Sequence, residues 1–220
     1  MVYVLEEIFK SKKNENSEQF NLRIQRALSW LRKAAYIQDD LDLQFLSLWI
    51  SFNAMHAQDL DAAEQCHQTS SSQFHVFLER LYPQDHSQKI SHLVWNKMPQ
   101  QIQWLLDHPY AFQDYWNYKN QKISQLTWKS NFAVEQQRVL EAFQAKDTQR
   151  IIVTIFERLL TLKNQILLGG TSYNSAMNRQ QLKDSCYILL MLLPVFLEVL
   201  IENAQHLDFT KPFYPIMHMS

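Results

Sequence analysis

The amino-acid sequence predicts an all-α protein that folds as a single domain over residues 1–220. Apolar residues make up 46% of the chain and aromatic residues 13%, which is enough for one sizeable core. The chain has only two glycines, which are adjacent, where average usage would give about fifteen. This scarcity disfavours strand-rich folds with tight turns. Apolar residues also recur with the spacing of amphipathic helices.

The first part of the chain predicts a leader followed by two helices. Residues 1–16 are mixed and charged, and we expect a flexible leader there. An apolar stripe then predicts an amphipathic helix with arginines on its opposite face. The stripe consists of Phe20, Ile24, Leu28 and Leu31, and the arginines are Arg23, Arg26 and Arg32. Residues 41–55 contain many large apolar side chains and predict a second, more buried helix.

The rest of the chain predicts further helices joined by polar segments. Residues 59–72 are polar or small and predict a connecting loop, and residues 73–128 mix helical stretches with prolines. Helices are predicted at 132–143, 148–168 and 179–203, and an extended tail at 206–220. In the helix at 148–168, the apolar residues in register are Ile151, Ile155, Leu159, Leu162 and Ile166. A cluster of aromatic residues at 110–118 favours packing in the core or at a subunit interface over stacking on bases.

Charge and cysteine content restrict the classes of function. The chain has 21 basic and 22 acidic residues, so any contact with RNA must be local rather than driven by overall charge. Cys66 and Cys186 lack the spacing of a metal site, and we expect a cytoplasmic protein without signal peptide, metal or cofactor. The apolar run at 186–197 is short for a membrane span and contains Pro194, which predicts a buried core helix.

The most specific pattern lies at residues 156–178, which read FERLLTLKNQILLGGTSYNSAMN. With the apolar helix that follows, this segment resembles the C-terminal part of bacterial Apea-like proteins of the HEPN superfamily (higher eukaryote and prokaryote nucleotide-binding domains). Those proteins usually read Arg-Asn-Gln, two apolar residues, His-Gly-Gly, and then a Thr and an Asn-Ser pair. The matching residues here are Asn164, Gln165, Gly169, Gly170, Thr171, Asn174, Ser175, Asn178 and Arg179.

The resemblance extends over most of the chain. Three further stretches agree with the same group: RIQRALSWLRKA at 23–34, LSLWISFNAMHA at 46–57 and KPFYP at 211–215. The resemblance implies an HEPN-like helical bundle with additional helices. It also implies a homodimer across the motif helices, and RNA or an antitoxin-like protein as partners. The short apolar run at 186–197 separately predicts no membrane partner.

In the wider family, RNA cleavage without metal is attributed to an Arg, a polar neighbour and a His. The His suits proton transfer, and the Arg suits a bidentate contact with the phosphate. The resemblance places Lys163, Asn164 and Leu168 at these three positions. Lys163 keeps the positive charge but loses the planar fork, and Leu168 cannot exchange a proton. The resemblance further implies contacts with substrate for Gln165, Gly169, Gly170, Asn174 and Arg179.

Three interpretations follow for the function. The first is an inactivated member of a ribonuclease lineage of toxins or defence factors. The second is a naturally non-catalytic HEPN domain that binds RNA, a nucleotide or a protein and dimerises. The third is a helical partner-binding protein unrelated to RNA, which a motif helix end buried inside the monomer would favour. A second Arg-to-His spacing, Arg80 to His86, crosses Pro83 and lies outside the matching segment.

Overall fold

The computed structural model describes residues 2–57 and 70–207, together with residues 212 and 214, and it is all-α. Within these residues the chain forms ten α-helices and no β-strand. The helices are α1 (Val2–Lys12), α2 (Glu18–Tyr36), α3 (Leu41–His56), α4 (Ser70–Leu81), α5 (Lys89–His92), α6 (Pro99–Asp107), α7 (Gln113–Lys119), α8 (Gln125–Ala145), α9 (Thr148–Leu167) and α10 (Arg179–Glu202). The predicted all-α class is confirmed.

Helices α2 and α3 form an antiparallel pair at one side of the core. Each begins at a capping side chain: Ser17 accepts from the Phe20 amide at 3.1 Å, and Asp40 accepts from the Leu43 amide at 3.0 Å. The predicted apolar stripe of α2 is buried along its whole length. Ser51 Oγ donates to the Ala27 carbonyl at 2.8 Å, which fixes the register of the pair.

One of the three arginines that we placed on the exposed face of α2 lies in the core instead. Arg23 is buried, and its Nη1 donates to the carbonyls of Met55 at 3.2 Å and Ala57 at 2.9 Å. These carbonyls lie at the C-terminal end of α3, where the last carbonyl groups of a helix have no hydrogen-bond donor within the same helix. The guanidinium therefore caps α3, and its charge complements the negative end of that helix.

The prediction of a flexible leader at residues 1–16 is wrong where the structure describes them. Residues 2–12 form α1, and Leu5 and Phe9 are buried against α2 and α10. The two residues lie one helical turn apart, so a single face of this short helix enters the core. The helix is therefore held by tertiary packing.

The last helix, α10, passes through the middle of the molecule and contacts α1, α2, α3 and α6. By length and composition it could cross a membrane, but 78% of its most apolar window is buried within the described part of the chain. That burial agrees with the predicted core helix. Of the other predicted segments, residues 59–69 of the loop and most of the tail at 206–220 lie outside the described residues.

Helix α9 connects this core to the outer helices α7 and α8. It begins at Asp147, whose side chain accepts from the Arg150 amide at 3.0 Å, and its predicted apolar residues face inward. The aromatic cluster is half-buried and joins α7 to α8, since Tyr115 and Trp128 have ring centroids 5.3 Å apart. This agrees with the packing role that we predicted for the aromatics.

Candidate functional site

The adjacent glycines of the motif terminate α9. The Gly169 amide donates to the Ile166 carbonyl at 3.2 Å, and the Gly170 amide donates to the Gln165 carbonyl at 2.7 Å. Together with the positive φ of +70° at Gly169, these two bonds form a Schellman motif. A Cβ on Gly170 would lie 3.0 Å from the Gln165 carbonyl oxygen. The helix end alone thus accounts for both glycines.

The position at which the resemblance expects a histidine lies at the surface. Leu168 is 82% exposed, and the neighbouring Leu167 is also exposed. The backbone amide of Leu168 closes the last turn by donating to the Asn164 carbonyl at 3.0 Å. The end of the motif helix is therefore not buried inside the monomer. Burial there would have favoured the third interpretation, a function unrelated to RNA.

Lys163 lies half-buried between α9 and α3. Its Nζ donates to Asn164 Oδ1 at 2.9 Å and lies 5.9 Å from the centre of the Trp49 ring. Partial burial lowers the pKa of the Lys163 ammonium below its ordinary value. Lys163 and Asn164 therefore form one polar unit, in which the lysine orients the amide of its neighbour.

Gln165 lies on another face of α9 and is bonded within the chain. Its Nε2 donates to the Tyr110 carbonyl at 2.8 Å, and its Oε1 accepts from Asn178 Nδ2 at 2.6 Å. A small cavity of about 20 Å³ lies between Gln165, Asn178 and Asp42, which is room for about one water molecule. Asn178 Oδ1 is buried without a hydrogen-bond partner among the described residues. This face of α9 holds the following loop in place.

The other predicted contact residues fix the loop to the start of α3. Arg179 donates to Asp42 Oδ2 at 2.8 Å and to Asn174 Oδ1 at 2.6 Å. Tyr173 donates to Asp40 Oδ2 at 2.7 Å. The bond from the Leu43 amide, followed by the bond from Tyr173, lowers the pKa of the Asp40 carboxyl. Arg179 and Asn174 are therefore engaged in bonds within the chain.

Asn164, one of the predicted site residues, lines an open cleft. This cleft has a volume of about 310 Å³ and lies between α9, α8 and the start of α7. Its lining residues are Phe112, Gln113, Asp114, Glu135, Glu157, Arg158, Leu160, Thr161 and Asn164. Glu157, Thr161 and Asn164 lie on one face of α9, and this face continues from the motif into the cleft.

Arg158 is the most unusual side chain in this cleft, because it carries a charge and is only 3% exposed. Its guanidinium carbon lies 4.6 Å from the centre of the Phe112 ring and 5.9 Å from that of Phe132. Its Nη2 lies 4.0 Å from Glu135 Oε1, and neither Nε nor Nη2 has a hydrogen-bond partner among the described residues. Burial lowers the pKa of Arg158, whereas Glu135 and Glu157 raise it. The group nevertheless stays charged, as arginine does in proteins.

Glu157 is a second charged residue that lines the cleft. Its Oε1 lies 3.2 Å from His75 Nε2 of α4. Burial raises the pKa of the Glu157 carboxyl, and the neighbouring His75 opposes that shift. Glu157 thus stands between a histidine on one side and the buried arginine on the other.

Arg158, Glu157 and Glu135 were not among the site residues predicted from the sequence. A signal was present, because the helical spacing that puts Ile155 and Leu162 inside also puts Arg158 on the buried side of α9. A charged residue in a buried register needs a partner or a function. The partners Phe112 and Glu135 come from other helices, however, and spacing along α9 does not reveal them.

The chemistry available around the motif is binding and orientation. Lys163 and Asn164 supply donors, and Leu168 supplies no exchangeable proton. Within residues 2–57 and 70–207 no group of three or more His, Cys, Asp or Glu side chains is arranged to hold a metal ion. Comparisons with models of protein families, with curated proteins and with solved structures find no match to this chain.

Proposed function

We propose that this chain is an HEPN-type protein of a metal-independent endoribonuclease lineage that binds RNA without cleaving it. The observation that carries the proposal is the exposed Leu168 at the end of α9, at the position where the resemblance expects the catalytic histidine. A side chain in this place can reach a ligand on the surface, but leucine has no group to transfer a proton.

The consequence for catalysis follows from the reaction. Cleavage without metal requires a base for the 2′-hydroxyl, an acid for the leaving oxygen and a positive charge at the phosphate. Loss of the acid–base residue lowers the rate by about a hundred- to ten-thousandfold. Lys163 retains a charge next to Asn164, which supports phosphate binding at the same place.

The experiment that tests the proposal restores both motif positions. The double variant Lys163→Arg/Leu168→His is compared with Lys163→Arg/Leu168→Gln. The second variant restores the planar guanidinium at 163 but has no group at 168 that can transfer a proton. We expect RNA breakdown and growth arrest only with histidine, and RNA binding without cleavage by the unaltered protein. An unaltered chain that fails to bind RNA in filter or anisotropy assays would contradict the proposal.

The same experiment separates the two origins of inactivity. A double variant that cleaves RNA indicates a nuclease lost by these two substitutions, whereas a folded double variant that remains inert indicates a domain whose function is binding alone. In the second case the alternative, a naturally non-catalytic module for RNA, nucleotide or protein, becomes the better description.

We further propose that the protein forms a homodimer across the motif helices. Exposed apolar side chains at the end of α9 and in the following loop support this arrangement. They are Leu167, Leu168, Tyr173 and Met177. A group of apolar side chains of this kind is characteristic of interaction surfaces, and a two-fold axis there would bring two copies of Lys163 into one RNA-binding surface.

A further inference from the structure

The cleft beside the motif contains a buried charge that the protein itself does not satisfy. Arg158 has five N–H donors, and none of them donates a hydrogen bond to a described residue. Its charge contact with Glu135, at 4.0 Å, is longer than a hydrogen bond. Leaving a charged donor buried and unbonded is costly. The cleft that Arg158 lines therefore points to a ligand that supplies the missing acceptors.

The shape of the guanidinium restricts the acceptors. Nε and Nη2 lie on one edge of the group, and such an edge binds two acceptors in parallel, as in carboxylates, phosphates or the O6 and N7 atoms of guanine. The rings of Phe112 and Phe132 lie within 6 Å of the guanidinium and restrict its movement. The position of the side chain is thus fixed, but Nε and Nη2 are closed off from solvent, so Glu135 must move before a ligand contacts this edge.

The charge of the cleft selects among these ligands. Glu135, Glu157 and Asp114 line it together with Arg158, so an anionic phosphate or carboxylate would be repelled. A guanine base is neutral, offers two acceptors to Arg158 and has N–H donors for a carboxylate. Both carboxylate oxygens of Asp114 already accept hydrogen bonds, one from Asn117 and one from Asn131. The carboxylates that remain for the base are Glu157, which also pairs with His75 at 3.2 Å, and Glu135, whose ion pairs are 3.9 and 4.0 Å long.

We propose that this cleft is a binding pocket for one unstacked guanine base of single-stranded RNA. The proposal rests on the RNA binding proposed above and names the base that is selected there. Arg158 lies about 7.5 Å from Lys163 along the axis of α9, so a base in the pocket places its backbone near the motif. The Glu135 side chain rotates away from Nη2 to admit the base, and no hydrogen bond to a described residue opposes that rotation.

The first test changes the ligand and leaves the protein intact. A short oligouridine with one central guanosine is compared by fluorescence anisotropy, at one salt concentration, with the same oligomer carrying adenosine, uridine or 7-deazaguanosine at that place. We expect guanosine to bind on the order of tenfold more tightly than adenosine or uridine, the scale of one bidentate base contact. Replacing N7 by carbon should abolish most of this preference.

The second test changes the protein, with a matched control on the same helix. Arg158→Lys keeps the positive charge but loses the planar guanidinium that binds two acceptors at once, so the oligomers with guanosine and with uridine should bind this variant with similar affinity. Arg150→Lys, at an exposed position of α9, should retain the preference. Circular dichroism and thermal unfolding show whether both variants are folded. If Arg158→Lys does not fold, the comparison of oligomers on the intact protein alone tests the pocket.

The outcomes distinguish the two proposals. If the intact protein binds none of the oligomers, RNA binding itself is wrong and the pocket proposal is overturned with it. If it binds all of them with equal affinity, or if 7-deazaguanosine binds as well as guanosine, RNA binding stands and the guanine pocket is overturned. Preference for guanosine that requires both N7 and Arg158 supports the pocket.

Discussion

Gly169 is the residue on which the end of α9 depends. Its φ of +70° is accessible to glycine without strain, and open space surrounds the position where a Cβ would lie. We therefore expect Gly169→Ala to lower the free energy of unfolding by about 1 kcal/mol, through backbone strain alone. Gly169→Asn should cost less, because asparagine tolerates this conformation better. Urea denaturation measures both, and equal losses would contradict the backbone explanation.

Arg23 shows how much a single buried charge can contribute when its partners are backbone carbonyls. Arg23→Met removes the donors for the carbonyls of Met55 and Ala57 at the end of α3. We expect a loss of roughly 2–3 kcal/mol in unfolding free energy, the range for hydrogen bonds from a charged group. Arg32→Met on the same helix is the control. Arg32 pairs with Glu6 at the surface, so chemical denaturation should detect little change there.

The C-terminal turn of α3 gives the protein a pH dependence that the structure explains. His56 is buried between Phe52 and Phe77, and its Nδ1 lies 2.9 Å from the Phe52 carbonyl. Burial, assisted by the charge of Arg23, lowers the pKa of His56 from its ordinary value of 6.5 to about 4. Between these two pH values His56 is thus neutral in the folded protein and protonated in the unfolded chain.

The sign of the effect follows from this lowered pKa. Above pH 6.5 the imidazole is neutral in both states, and as the pH falls towards 4 only the unfolded state gains the proton. Unfolding free energy should therefore decrease by roughly 3 kcal/mol from this group over that interval. His56→Gln should remove that part of the pH dependence, and His92→Gln, at an exposed position, should retain it. An unchanged slope in His56→Gln would show that other groups cause the decrease.

Helical spacing predicted the inner helices well because their apolar stripes are long. The stripes of α2 and α9 each extend over several turns, and both are buried as expected. Helix α1 was missed because its buried face consists of little more than Leu5 and Phe9, and its stability comes from packing on α2 and α10. The spacing of apolar residues within this segment does not reveal packing against other helices.

The candidate site was also predictable only in part. The helix end at the two glycines and the place of the motif along α9 could be predicted from the sequence, since they depend on neighbours in the same helix. The roles of Gln165 and Arg179 were not, because their partners Tyr110 and Asp42 are remote in the chain. Arg158 was missed for the same reason. Its significance comes from Phe112 and Glu135, which only the fold brings to it.

For the whole molecule, the arrangement of exposed leucines makes the proposed dimer testable. Leu168 at the end of α9 is 82% exposed and Leu126 at the start of α8 is 80% exposed, so the two positions are matched in exposure. An aspartate at either position should leave the fold of the monomer intact. In a dimer with a two-fold axis at the motif helices, each substitution at 168 occurs twice in one interface, and two buried like charges oppose association.

We therefore expect Leu168→Asp to shift the protein from dimer to monomer at a concentration at which Leu126→Asp remains dimeric. Size-exclusion chromatography with light scattering measures both masses over a dilution series. Dimers of equal strength in both variants would exclude the motif helices as the interface. Such a result would leave the guanine pocket unaffected, because every residue that forms it belongs to one chain.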